Sequence, residues 1–340
     1  MFSSVDALND RLTTPTDALI ADLAKGGGDL VILGAGGKMG PTLSLLARRG
    51  LDAAGRGDDR VLAVSRWSDE RAKATVEASG ITPVSFDLLS DADLAELPDA
   101  ADVVFMIGAK FGTASAPSLA WAVNAALPAK VAERYADARI AAFSTGNVYP
   151  LVPLGSGGSR ETDTVGPVGE YAMSCLGRER VFEHAAELRG TKVSVLRLNY
   201  AVDLRYGVLA DLATQIVAGA PVDVTTGAVN VVWQGYANEV ALRSLGHASS
   251  DVFTLNVTGP ELASVRRLAG DLASALGRPV SFTGQEAQTA LLNDASRCHG
   301  LFGYPDVSLA TLVDWQAEWV AAGLPMVDKP TKFAVRDGKF

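Results

Sequence analysis

The sequence predicts an α/β fold: a doubly wound, Rossmann-like parallel sheet with helices on both faces and a smaller, mixed C-terminal substrate lobe. Three observations predict it. Short, wholly apolar runs rich in β-branched residues alternate with helical patterns over about the first 200 residues, which is how strands buried on both faces read. A glycine-rich turn, GAGGKMG at 34–40, lies directly between the first such run and the first helical pattern. After about residue 200 the alternation loosens into helices mixed with short strands.

The elements follow in order. DLVILG (29–34) is a buried strand, and PTLSLLARRG (41–50) is a helix that stops at Gly50. RVLAVS (60–65), ITPVSF (81–86) and ADVVFMIG (101–108) are the next strands, with a helix near 69–79. A long helix near 117–136 precedes the strand RIAAFS (139–144). The glycine-rich PLGSGGSR (153–160) reads as a mobile loop. A helix over 170–189 is closed by Gly190, and KVSVLRL (192–198) is strand again. Beyond it, helices are expected near 206–218, 236–247, 262–276, 294–301 and 308–322, with short strands near 222–232 and 252–257. The division is an N-terminal segment (1–27), a dinucleotide-binding unit (28–200), a lobe interleaved with it (201–322), and a polar, extended tail (323–340).

Bulk properties narrow the function. Of 340 residues, 48% are apolar, enough for a large core. Thirty Lys and Arg against 39 Asp and Glu give a net charge of −9, which argues against nucleic acid or an anionic membrane as partner. MFSSVDALNDRL carries no basic stretch followed by an apolar run, and no apolar run reaches membrane-spanning length. Cys175 and Cys298 read as free thiols. His184, His247 and His299 have no metal-ligand spacing. A soluble, cytoplasmic, metal-free protein is expected.

In the loop at 34–40, backbone N–H groups and a helix N-terminus can hold a pyrophosphate. The spacing that fits is Gly34, Gly37 and Gly40, with Lys38 and Met39 between the last two and Pro41 suited to the first helical turn. An acidic residue ending the second strand would bind the adenosine ribose hydroxyls and repel a 2′-phosphate. Ser65 and Arg66 stand there instead, a pair that suits a phosphate better than a diol; the other reading of Arg66 is a solvated surface arginine. NADP is therefore the expected cofactor, with NAD the alternative. Asp87, followed by Leu88 after the third strand, can accept from the adenine amino group or cap a helix.

These motifs, with FSTGNVY (143–149) after the fifth strand and Tyr171 lying 26 residues beyond Thr145, resemble the extended short-chain dehydrogenase/reductases, the NAD(P)-dependent sugar epimerase/dehydratase family. The likeness runs from about 28 to 320 and includes FTLNVTGPE (253–261) and DASRCHGLFGYP (294–305). It implies a catalytic hydroxyl at Thr145, a catalytic tyrosine at Tyr171, and Gly108 and Lys110 of MIGAKFG (106–112) beside the cofactor. It also implies a homodimer paired through the helices near 117–136 and 170–189.

The family pattern is Tyr-x-x-x-Lys, whereas this chain has Tyr171-Ala-Met-Ser-Cys175. Two cations could compensate: Lys110, which comes from a neighbouring strand end and which the resemblance places by the cofactor, and Arg178, three residues after Cys175 and on the same face of the helix. Arg178 has a rival role in an ion pair with Glu179 or Glu183, and Cys175 reads as a small structural residue. Thr145 is followed by Gly146 and Asn147 rather than an acid pair, which disfavours elimination. The segment 229–240 carries no basic residue placed to hold a diphosphate, so Asn147, Asn199, Trp233 and Gln234 are candidates to line a site for a free sugar or similar polyol, with ordinary packing the other reading, above all for Trp233. The expected activity is hydride transfer at a carbohydrate-like secondary alcohol or ketone, as an oxidoreductase or epimerase. A non-catalytic dinucleotide sensor of the same fold is the rival.

Overall fold

A computed structural model describes residues 2–90, 94–327 and 329–340. Seven strands form one parallel sheet: β1 (Leu30–Leu33), β2 (Val61–Ser65), β3 (Thr82–Ser85), β4 (Asp102–Phe105), β5 (Arg139–Thr145), β6 (Lys192–Leu198) and β7 (Phe253–Val257). Their order is β7-β6-β5-β4-β1-β2-β3. β1 pairs with β2 on one side (Leu30 opposite Val61) and with β4 on the other (Leu30 opposite Asp102). The chain direction across the sheet reverses there, so a crevice opens at the C-terminal ends of these strands, where ligands of doubly wound sheets bind. β1 and β4 are buried at every position, which explains why they read as unbroken apolar runs. The lobe is interleaved, because β7 adds to the main sheet beside β6. Among the described residues no helix is long and apolar enough to cross a membrane, and no cluster of His, Cys, Asp and Glu could hold a metal.

Most helices match the sequence pattern within a few residues, including Gly169–Arg189, ended by left-handed Gly190, φ 71°. Three readings need correction, and one feature is new. The first helix runs over Gly40–Ala53 and passes straight through Gly50. That glycine makes room for a neighbour rather than ending the helix: a Cβ on it would lie 2.7 Å from Leu23 Cδ1. Leu23 belongs to a second finding, that residues 5–23 form two helices, Val5–Leu12 and Asp17–Leu23, N-capped by Ser4 and Thr16. They bury Leu8, Leu12, Leu19 and Leu23 in the core.

The third concerns the helix near 117–136, which is Pro117–Trp121, a π-turn over Ala122–Ala126, and Leu127–Arg134. Pro128 has no N–H for a regular helical bond; the wider turn, with Leu127 N donating to Ala122 O, absorbs the misfit. Finally, the loop 153–160 is pinned. Val152–Pro153 pairs with Thr289–Ala290, and Ser159 donates its N–H to Leu292 O at 2.8 Å and accepts from Asp294 N at 2.9 Å. The tail is without regular structure as expected, but it folds back on the molecule and buries Thr331, Phe333 and Phe340.

Candidate active site

A groove of about 500 Å³ runs along the C-terminal ends of β1, β2, β3 and β4. Its floor is the glycine loop. Gly34 adopts φ +95°, a conformation suited to glycine, and a Cβ there would lie 2.9 Å from Ile107. Gly36, absent from the spacing argument, is as tightly constrained: a Cβ would lie 2.4 Å from Ser65 Oγ. Gly40 packs on Ala35, whose carbonyl oxygen would be 2.2 Å from a Cβ. Gly37 is exposed, and the loop leads into the N-terminus of the helix Gly40–Ala53. Bare backbone on a helix N-terminus fits a pyrophosphate.

At one end the groove is lined by Ser65, Arg66, Ser68, Asp87 and Leu88, and at the other by Met106, Ile107, Gly108 and Ala109. Arg66 is exposed and makes no ion pair among the described residues. Asp87 Oδ1 accepts from Leu89 N at 3.0 Å. Two loop residues face elsewhere. Lys38 lays its ammonium 2.9 Å from the centroid of Tyr206, and Met39 packs against the core.

Thr145 ends β5 and is buried; its Oγ1 accepts from Asn147 N at 3.2 Å and Asn147 Nδ2 at 3.0 Å. Tyr171, in the first turn of Gly169–Arg189, brings its hydroxyl to the Thr145 and Cys175 side chains. Burial pushes this phenol far above its ordinary value and the neighbouring Cys175 adds to the effect, while Thr145 and the Arg178 cation oppose it. Burial also pushes the Cys175 thiol up. A protonated thiol without a base is no nucleophile. It packs with Val148, Tyr149 and Tyr171 instead.

Arg178 makes no ion pair with Glu179 or Glu183. It is buried, donating through Nη1 to Phe143 O at 2.6 Å and through Nη2 to Asn124 Oδ1 at 2.9 Å. Asn124, on the π-turn, also accepts from Ala109 N at 2.9 Å and donates to Ser174 Oγ at 3.0 Å. Glu179 pairs with buried Arg197 at 2.7 Å, and Arg197 donates to Tyr149 Oη at 2.6 Å. These bonds fix the Tyr171 helix to β5 and β6. Lys110 lies over the Tyr171 ring, 5.8 Å from its centroid, and donates to Thr331 O at 3.1 Å. Burial lowers its ammonium to about 8, against the attraction of Asp211.

A small cavity of about 30 Å³ adjoins this centre, lined by Asn147, Tyr149, Tyr200, Leu291, Arg336 and Phe340 among others and by no acidic side chain. Asn199 is buried behind it, its Nδ2 donating to Leu291 O at 3.4 Å. Trp233 is not at the cavity. Its indole is buried in the core, edge-on to Trp315 at 5.8 Å, so its sequence-based place beside substrate is corrected to a packing role. The tail residues at the centre were missed. The alternating apolar residues of KFAVRDGKF (332–340) were the available signal.

A model of the NAD dependent epimerase/dehydratase family matches residues 30–248. The chain belongs to that family. Solved structures are similar to the chain in fold at low identity. A UDP-glucose 4-epimerase with UDP-glucose from Thermotoga maritima is 16% identical with a TM-score of 0.69, covering 86% of this chain and 98% of that one. A UDP-glucuronic acid 4-epimerase from Bacillus cereus, in complex with UDP-glucuronic acid and NAD, is 16% identical with a TM-score of 0.71 and the same coverage. Pal from Bacillus thuringiensis is 15% identical with a TM-score of 0.70, again over 86% and 98%. No curated protein matched the chain. As a member of the epimerase/dehydratase family the chain is atypical at Cys175, where the family pattern has a lysine.

Proposed function

We propose that this protein reduces a carbohydrate-like ketone or aldehyde with a nicotinamide dinucleotide, Tyr171 serving as proton donor. The observation that carries this reading is the Thr145–Tyr171 pair in a buried setting that keeps the phenol protonated. The glycine loop supports a dinucleotide, because Gly34, Gly36 and Gly37 present bare backbone to the groove at the N-terminus of the helix Gly40–Ala53. Gly34, Gly36 and Gly37 would hold its pyrophosphate, Ser65 and Arg66 its adenosine ribose, and Asp87 its adenine. A reduced nicotinamide, when bound, supplies a hydride. Thr145 donates a hydrogen bond to the substrate oxygen, and Tyr171 gives that oxygen its proton as negative charge builds on it.

Proton abstraction from an alcohol is the harder direction here. It needs the phenolate, and each unit by which a pKa stands above the working pH withholds about 1.4 kcal/mol. Epimerisation by transient oxidation needs that step, so reduction is the better supported half of the family's chemistry. The family description names NAD; unpaired Arg66 and the lack of an acid ending β2 support NADP. A homodimer through Pro117–Arg134 and Gly169–Arg189 is supported by the exposed Trp121, Met173 and Leu188 on these helices.

Reaction with a panel of free keto-sugars, followed by loss of reduced-dinucleotide absorbance, tests the reading. Turnover that disappears in Tyr171→Phe is expected. Tight dinucleotide binding with no turnover on any substrate would favour the sensor.

A further inference from the structure

The two halves of the site are not equally open. The end of the groove near Ser65, Arg66 and Asp87 faces solvent, whereas Lys110 and Tyr171 lie beneath residues 329–340. Lys329 lines the groove beside Gly108 and Ala109. Next along, Thr331 caps Asp211, its N–H donating to Oδ2 at 2.8 Å and its Oγ1 at 2.5 Å. Its carbonyl takes the Lys110 ammonium at 3.1 Å. Arg336 donates to Thr289 O and Oγ1, both at 2.7 Å. Gly338 runs against Val168–Gly169, so close that a Cβ on it would lie 2.3 Å from Val168 O. Phe340 then fills the space between the two functional side chains. Its ring is 5.4 Å from that of Tyr171, edge to face, and 4.6 Å from Lys110 Nζ.

The cavity on the other side of Phe340, lined by Asn147, Tyr149 and Phe340 but not by Tyr171, holds about 30 Å³, room for roughly two waters. Neither a sugar ring nor a planar heterocycle fits there with Phe340 in place. The segment is also held by contacts that can be exchanged. The segment has no regular structure of its own, and most of its anchors are side-chain contacts: paired hydrogen bonds from Thr331 and Arg336, the Lys110 ammonium on Thr331 O, and the rings of Phe333 and Phe340.

We propose that residues 329–340 are an autoinhibitory strap: Phe340 occupies the catalytic half of the site, and the strap must lift before a dinucleotide and its substrate can both reach Tyr171. This rests on the groove being a dinucleotide site. The adenosine end binds without the strap moving; the far end does not. Part of the binding free energy of a whole dinucleotide is therefore spent on opening, and its apparent affinity falls by the fraction of molecules already open.

The test compares two probes, AMP and NADPH, on the full-length protein and on three variants, Phe340→Ala, Arg336→Ala and Gly338→Ala, each checked for folding by circular dichroism. Removing the ring, the Thr289 bonds or the close backbone fit should raise NADPH affinity by roughly tenfold, as expected when an opening cost of a few hydrogen bonds is removed, and leave AMP affinity unchanged. Backbone amides of 329–340 should exchange faster with NADPH bound. Unchanged NADPH affinity in all folded variants, an equal gain for AMP, or slower exchange on binding would each overturn the strap while leaving the groove assignment intact. If neither probe bound the native protein, the groove assignment would fall and the strap with it.

Discussion

At position 175 one residue decides how this site works. A lysine four residues after the tyrosine would face it on the helix, and its charge would hold the phenol near neutrality. The thiol there is buried, and burial pushes it up; in the proposed reaction it leaves Tyr171 a proton donor. Sequence reasoning found the frame and the missing cation but not what surrounds it. Arg178 reads as a surface residue beside Glu179, yet it is buried against Phe143 O and Asn124. Nothing in a helical spacing says that a π-turn on another helix will present Asn124 to it. Cys175→Ala should leave activity within about twofold, since a small side chain is all the packing needs; a loss of several orders of magnitude would mark a nucleophile. At the far end of the groove, Arg66→Ala should weaken NADP binding by about 1.5–3 kcal/mol, the range for a charged hydrogen bond, and leave NAD nearly unchanged. Titration calorimetry showing equal losses would remove Arg66 from the 2′-phosphate.

Elements were legible where periodicity was strong and hidden where it was short. The strands and the helix Gly169–Arg189 announce themselves by apolar runs and a terminal glycine. Val5–Leu12 and Asp17–Leu23 are only eight and seven residues, too short to stand without tertiary packing. Their caps, Ser4 and Thr16, were the readable sign. Gly50 misled because a glycine ends a helix or admits a neighbour, and only the packing of Leu23 distinguishes the two. These N-terminal helices are part of the core rather than an appendage: Leu19 is fully buried. Leu19→Ala should lower stability by about 2–5 kcal/mol in denaturant unfolding, as for other large-to-small core substitutions. A change under about 0.5 kcal/mol would show that the pair contributes nothing to the fold.

Across the whole molecule, topology was legible and coverage was not. Strand–helix alternation implied the parallel sheet, and the glycine loop marked the crevice along which the groove lies. That residues 329–340 return across the site depends on long-range bonds to Asp211, Thr289 and Gly112, which leave no local pattern. Trp121, Met173 and Leu188 are large apolar side chains left exposed on the helices Pro117–Trp121 and Gly169–Arg189, the kind of residue that an isologous pairing would cover. Light scattering at micromolar concentration should give twice the chain mass; the mass of one chain would remove the dimer.

The central claim is that Tyr171 works as a protonated phenol, and the pH profile of kcat for carbonyl reduction tests it most directly. With the phenol held above its ordinary value of about 10, the proton is present throughout the neutral range. The profile should therefore show no ascending limb from about pH 6 to about pH 9, and Tyr171→Phe should abolish most of the rate at every pH. A limb that rises with a midpoint near neutrality and is lost in Tyr171→Phe would mean that the working form is the phenolate, and would contradict the account.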